Sequence, residues 1–256
     1  MVVLSIVTPV YNSARFLPHA LDSIARIETQ HEHIVIDGGS SDGTVELLRA
    51  REDPSLTWVS EPDRGQTHAV NKGFERARGE ILGWLNGDDE YIPDAIDRAV
   101  AHMLAEPAVE AVVGGMHFVD EHGHVRRRYQ PGRYSWLRYL YQGDYIQTPV
   151  ILFRRRALER AGFLDETFKD AADYDFYLRV FHGVRVDRMP EAHVRFRIHS
   201  DSKTIRNVWL QQDEALAIRL KWGRTPVHRA LMRGLERAKR LILPRISPWP
   251  RPYADD

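Results

Sequence analysis

Cysteine is absent from this 256-residue chain. That absence removes disulfide frameworks, thiolate zinc sites and cysteine nucleophiles, and it permits a reducing compartment. Any metal ligand must then come from Asp, Glu, His or Asn. Net charge is absent too: 36 Lys plus Arg balance 36 Asp plus Glu, which argues against a dedicated nucleic-acid binder. No apolar run approaches the ~18 residues a spanning helix needs. The N-terminus meets Pro9 and Asn12 without the basic start of a signal peptide. No internal repeat or low-complexity block is present. The simplest expectation is a cytoplasmic protein.

What the chain does have is 43% hydrophobic residues, enough at this length for one large domain or a domain with a smaller appendage. A β-branched run, Val2 to Val10, leads into Phe16, Leu17, Ala20, Leu21 and Ile24 at helical spacing. The alternation then repeats. His33 to Ile36, Leu56 to Val59 and Ile81 to Leu85 read as strands, with helices expected over Thr44 to Ala50, Gln66 to Ala77 and Ile92 to Ala105. This pattern predicts an α/β fold, a Rossmann-like, mainly parallel sheet flanked by helices, with its ligand crevice at the carboxyl edge. Beyond the strand Val109 to Gly114 the texture changes, and Arg126 to Tyr145 is dense in Arg, Tyr and Trp. Three parts are expected: 1–115, 116–205, and 206–256 with C-terminal helices and a Pro-rich tail.

Chemistry concentrates where strands empty into loops. Asn86, Gly87, Asp88 and Asp89 follow the apolar run Ile81 to Leu85. Adjacent carboxylates repel and raise each other's pKa, a conflict that Mg²⁺ or Mn²⁺ removes while leaving coordination positions for substrate phosphates. The plainer reading is a solvated acidic turn. Asp37 precedes Gly38, Gly39 and Ser40, small residues that let backbone approach a ligand. Ser40, Ser41 and Asp42 also read as an N-cap series.

Taken together, Ser5-Ile6-Val7-Thr8-Pro9-Val10-Tyr11-Asn12, Ile34-Val35-Ile36-Asp37-Gly38-Gly39-Ser40-Ser41-Asp42-Gly43-Thr44, Glu61-Pro62-Asp63-Arg64-Gly65, Asn71-Lys72-Gly73 and Trp84-Leu85-Asn86-Gly87-Asp88-Asp89 resemble a family 2 glycosyltransferase of the bacterial polysaccharide and glycan type. The resemblance covers about residues 1 to 205 and is densest up to Pro93. It implies a GT-A fold, a nucleotide-diphosphate-sugar donor (UDP by default), Mn²⁺ or Mg²⁺, inversion at the anomeric carbon, and a glycan or lipid-linked glycan acceptor. By the same resemblance, Pro9 and Tyr11 border the nucleobase, Asp37 accepts from its imide N–H, and Asp63 closes that pocket. Asp88 is the implied principal metal ligand, and Asp89 a supporting or donor-sugar contact. Asn86 stands where the family usually has Asp, and can still bond a ribose hydroxyl.

Farther on, Asp173-Tyr174-Asp175 resembles the motif that supplies the family's catalytic base, here Asp173, with Ala172 where Glu is usual. A carboxylate within reach of the incoming hydroxyl is what such a displacement needs; the plainer reading is acidic residues in a helix's first turn. His199 resembles a ligand to the metal or the diphosphate, with Arg197 and Lys203 as candidate counter-charges. Trp136 and Gln147 are expected on the acceptor side. The basic, amphipathic stretch from His228 to Leu243 suits either an anionic membrane surface, as a peripheral contact within 224–256, or the protein's own domain. Two other function classes stay open: a nucleotidyltransferase, although its phosphate loop is absent near the first strand, and a catalytically silent sugar-nucleotide-binding module, which Asn86 and Ala172 make conceivable.

Overall fold

The computed structural model describes residues 2–142, 148–200, 202, 208–222 and 228–234. Four strands open the chain: β1 (Leu4–Val10), β2 (His31–Asp37), β3 (Leu56–Ser60) and β4 (Ile81–Trp84). They alternate with α1 (Leu17–Ala25), α2 (Thr44–Ala50) and α3 (Gln66–Arg76). Their spatial order is β3-β2-β1-β4, all parallel. Strands on either side of β1 are reached by connections in opposite directions, so a crevice opens at the carboxyl ends of β1 and β4, where such sheets receive ligands.

β1 is buried along its whole length, as a strand covered on both faces requires. α3 packs closely over it because Gly73 has no side chain; a Cβ there would lie 2.2 Å from Val7 Cγ1.

The remaining elements are β5 (Glu90–Tyr91), α4 (Pro93–Ala105), β6 (Val109–Val119), β7 (Val125–Tyr129), α5 (Trp136–Gln142), β8 (Ile151–Arg154), α6 (Arg155–Ala161), α7 (Ala172–Val180), β9 (Arg185–Arg197) and α8 (Val208–Trp222). The sheet continues through β8, β6, β9 and β5, with β7 paired to β6. Parallel pairing thus describes the N-terminal half, and beyond β4, among the described residues, only β6 and β9 pair that way.

Besides the two-residue β5, two strands differ from the sequence reading. β7 falls in the stretch read only as Arg- and aromatic-rich, and the 13-residue β9 was not anticipated. β9 carries four arginines and interleaved acids, so its apolar signal is weak. It joins the sheet through buried His193, Val194 and Phe196, and Gly114 of β6 makes room for the His193 ring. Of the expected C-terminal amphipathic helix, residues 228–234 are helical. The rest of that stretch, the Pro-rich tail and Gln147 lie outside the described residues. No helix among the described residues is long and apolar enough to cross a membrane.

Candidate active site

A cleft of about 750 Å³ opens over the carboxyl ends of β1 to β4 and reaches across to the N-terminus of α7. Its first wall is the turn after β1. Asn12 adopts a left-handed backbone (φ 50°), and the turn is stitched to the loop after β2. Asn12 Oδ1 accepts from the Ser41 N–H at 2.9 Å, Ser13 N–H donates to Thr44 Oγ1 at 2.9 Å, and Ala14 N–H donates to Asp42 Oδ2 at 2.9 Å. The N-cap of α2 is Gly43, with no side-chain cap, and the expected capping residues Ser40, Ser41 and Asp42 instead tie the two loops together. Pro9 and the largely exposed Tyr11 face the cleft.

Asp37 lies behind that wall rather than on it. Its carboxylate is fully buried and accepts from the Gly39 and Ser40 N–H groups, the Ser40 hydroxyl, and the Ser60 hydroxyl at 2.6 Å. The surface at this level is made by Gly38 and Asp63. These two are fitted to each other: a Cβ on Gly38 would lie 2.7 Å from Asp63 Oδ2.

At the end of β4, Asn86 is a connector. Its Oδ1 accepts from the Trp84 indole N–H at 3.0 Å and from Gln66 Nε2 at 2.9 Å, and its Nδ2 faces Asp89 Oδ2 at 3.4 Å. Because an indole only donates, Trp84 fixes which way the amide points. A carboxylate at this position would face Asp89 with like charge. Asp89 is buried, with Oδ1 accepting from the Arg197 N–H at 2.9 Å. Burial, and then the neighbouring Asp88, push its pKa well above the usual carboxylate range, against the opposing bonds from Arg197 and Asn86.

Asp88 points the other way, into the cleft, where its Oδ2 meets His199 Nε2 at 3.0 Å. His199 is held by mutual bonds with Ser202 and by the Phe16 ring, 4.8 Å away between centroids. Arg197, expected as a counter-charge for the diphosphate, is committed elsewhere. It is buried, and its guanidinium donates to the carbonyls of Asp88, Asp120 and Glu121 and to the Glu90 carboxylate. Arg15 and Lys169 are cations that do line the cleft. Lys203 lies outside the described residues.

Among the described residues no three His, Asp or Glu side chains converge as a closed metal cage. Asp88 and His199 nevertheless suit Mn²⁺ or Mg²⁺: one hard oxygen and one imidazole nitrogen, side by side on an open cleft, leave coordination positions for phosphate and water.

On the opposite wall Asp173 stands in the first turn of α7. Its Oδ2 accepts from the Thr148 hydroxyl at 2.7 Å and its Oδ1 from the Tyr174 N–H at 2.9 Å. Asp175, two residues on, is structural: it is buried and accepts from Arg179 Nε at 2.9 Å. Trp136 does not line the cleft. Its indole N–H donates to the Leu178 carbonyl at 2.9 Å and its ring packs edge-on against His182 and Trp222. Thr148, Gln66, Arg15 and Lys169 are cleft residues that sequence reasoning missed, since none stands in a pattern that separates it from an ordinary surface or turn residue.

Residues 5–163 match the family model described as Glycosyl transferase family 2. The chain belongs to that family. A curated relative, an uncharacterized glycosyltransferase of Rickettsia prowazekii, is 28% identical over 213 residues, covering 78% of this chain and 65% of the relative. The chain therefore spans just under two thirds of that protein's length. In fold, this family 2 chain is similar to S. aureus TarS 1–349 solved with UDP-GlcNAc, with a TM-score of 0.68 and 17% identity over 91% of this chain and 70% of that one. It is also similar to a Pyrobaculum calidifontis mannosyltransferase solved with GDP-Man and Mn²⁺, with a TM-score of 0.66 and 21% identity over 92% and 69% of the two chains. The fold is GT-A.

Proposed function

We propose that this glycosyltransferase moves a sugar, with inversion, from a nucleotide-diphosphate sugar to a hydroxyl of a glycan or lipid-linked glycan. The observation that carries the reading is one cleft with the Asp88–His199 pair on one wall and the Thr148-held Asp173 on the other. Pro9, Tyr11 and Asp63 border the nucleoside end, and Asn86 offers its amide near the ribose. UDP is the first choice of nucleotide, on the family resemblance and on the UDP-GlcNAc bound by TarS.

Asp88 and His199 would hold a divalent cation, which when bound neutralises the charge developing on the departing diphosphate. Arg15 and Lys169 add positive charge to the same cleft. Asp173 takes the proton of the acceptor hydroxyl as that oxygen bonds to the anomeric carbon. The bond from that carbon to the diphosphate oxygen breaks, and its electron pair leaves with the nucleoside diphosphate. No covalent enzyme intermediate is needed. Thr148 aims the carboxylate, so the base is oriented before the acceptor arrives.

A thermal-shift panel of UDP, GDP and dTDP with Mn²⁺, repeated with EDTA, tests the donor side. Stabilisation by one nucleotide that weakens with EDTA is expected, and an EDTA-insensitive shift would sink the metal role of Asp88 and His199.

A further inference from the structure

We infer that Glu214, on the C-terminal helix α8, is a positioning residue for Asp173. This rests on the proposed role of Asp173 as base. The Glu214 carboxylate accepts from three consecutive backbone N–H groups: Lys169 (2.9 Å), Asp170 (2.8 Å) and Ala171 (2.9 Å). These groups stand immediately before α7, where a helix leaves N–H donors unpaired and where its dipole favours negative charge. An ionised carboxylate accepting several such bonds is among the stronger polar contacts available to a protein. Two residues beyond the last of the three comes Asp173.

The same loop is gripped at its other end. Asn71 of α3 pairs its side-chain amide with Leu164 in both directions, Nδ2 donating to the carbonyl and Oδ1 accepting from the N–H, each at 3.0 Å. Arg64 donates to Glu166 through Nε (2.9 Å) and Nη2 (2.7 Å). The segment leading to Asp173 is therefore strung between the nucleotide half and α8. Glu214 governs the end next to the base, and α8 also presents Gln211 to the cleft. The family model ends at residue 163, so both Asp173 and Glu214 lie beyond the matched region. Glu214 has no signal in sequence: it is one acid in a polar helix, and its partners are backbone atoms 43 to 45 residues away.

The test measures nucleoside diphosphate release from UDP-GlcNAc, GDP-mannose and other UDP- and dTDP-sugars with Mn²⁺, for the wild type, Glu214→Ala, Glu214→Gln and Asp173→Asn. On the donor that the wild type turns over, Glu214→Ala is expected to lower kcat by about 10- to 100-fold, the scale set by small misplacement of a reacting group. The donor KM should stay within about twofold, because the nucleotide walls are untouched. Glu214→Gln, which keeps one acceptor oxygen, should recover part of the loss. Hydrogen exchange should quicken at 169–173 in Glu214→Ala and stay unchanged in β1 and β4. Unchanged kcat in Glu214→Ala overturns the inference, as does a KM that rises in step with loosening of the whole sheet, or failure of both Glu214 variants to fold. Full activity in Asp173→Asn, or no release from any donor by the wild type, would instead overturn the reading on which it rests.

Discussion

His199 Nε2 and Asp88 Oδ2 meet at 3.0 Å although 111 residues separate them in the chain. Asp88 hangs from the end of β4 and His199 follows β9, so the two come together only because β9 enters the sheet. The Arg197 side chain locks this junction by donating to the Asp88 carbonyl at 3.1 Å.

If that pair holds the cation, Asp88→Asn and His199→Ala should each cut turnover on the order of 100-fold, the usual cost of removing one preorganised electrostatic partner. Raising Mn²⁺ should restore part of the activity of His199→Ala. Metal titrations of initial rate would check this. Identical Mn²⁺ dependence in wild type and both variants would remove the pair from the metal site.

Restoring the family's usual acid at position 86 should do harm. Asn86→Asp replaces the Nδ2 donor with a like charge about 3.4 Å from the buried Asp89, which should cost roughly 1–3 kcal/mol of stability. It should not raise activity. A urea denaturation midpoint equal to that of the wild type would contradict this account of Asn86.

Much of this architecture was legible in the sequence, for a physical reason. β1, β2 and β4 are buried strands and read as apolar runs, and the loops after them carry small and acidic residues in a recognisable order. Pro9, Tyr11, Asp63, Asn86, Asp88, Asp173 and His199 accordingly line one cleft. Residues whose roles depend on distant partners were not legible. Arg197 resembles a phosphate-binding cation, yet it serves four acceptors inside the fold. Trp136 resembles a sugar platform, yet its indole N–H is taken by a helix carbonyl. Asp37 reads as a nucleobase acceptor, while the structure has its oxygens organising its own loop.

Stability should fall on mild acidification before carboxylates matter. His33 and His193 are fully buried, and burial is the main cause lowering their pKa values to about 3 and about 4 from 6.5. Both are therefore neutral when folded, and His193 donates Nδ1–H to the Val150 carbonyl at 2.8 Å. The unfolded chain takes up protons below 6.5 while the folded one does not, so stability declines as pH drops from there toward the folded values. From about pH 7 to about pH 5 each histidine should remove roughly 2 kcal/mol. Denaturation midpoints that stay flat over this range would contradict the burial of both rings.

Gly73→Ala should destabilise by about 1–3 kcal/mol, the usual cost of overpacking, because its Cβ would meet Val7 Cγ1 at 2.2 Å and push α3 off β1. Thermal unfolding would read it directly. An unchanged Tm would show that α3 and β1 are not in this contact.

In the proposed mechanism Asp173 removes the acceptor proton. The direct measurement is the initial rate of nucleoside diphosphate release from the preferred sugar nucleotide by Asp173→Asn and wild type, with nucleotide affinity measured alongside. The expected result is a fall of at least about 100-fold in kcat, the range for a lost general base, with the nucleotide binding as before. A variant that turns over at the wild-type rate would contradict the account.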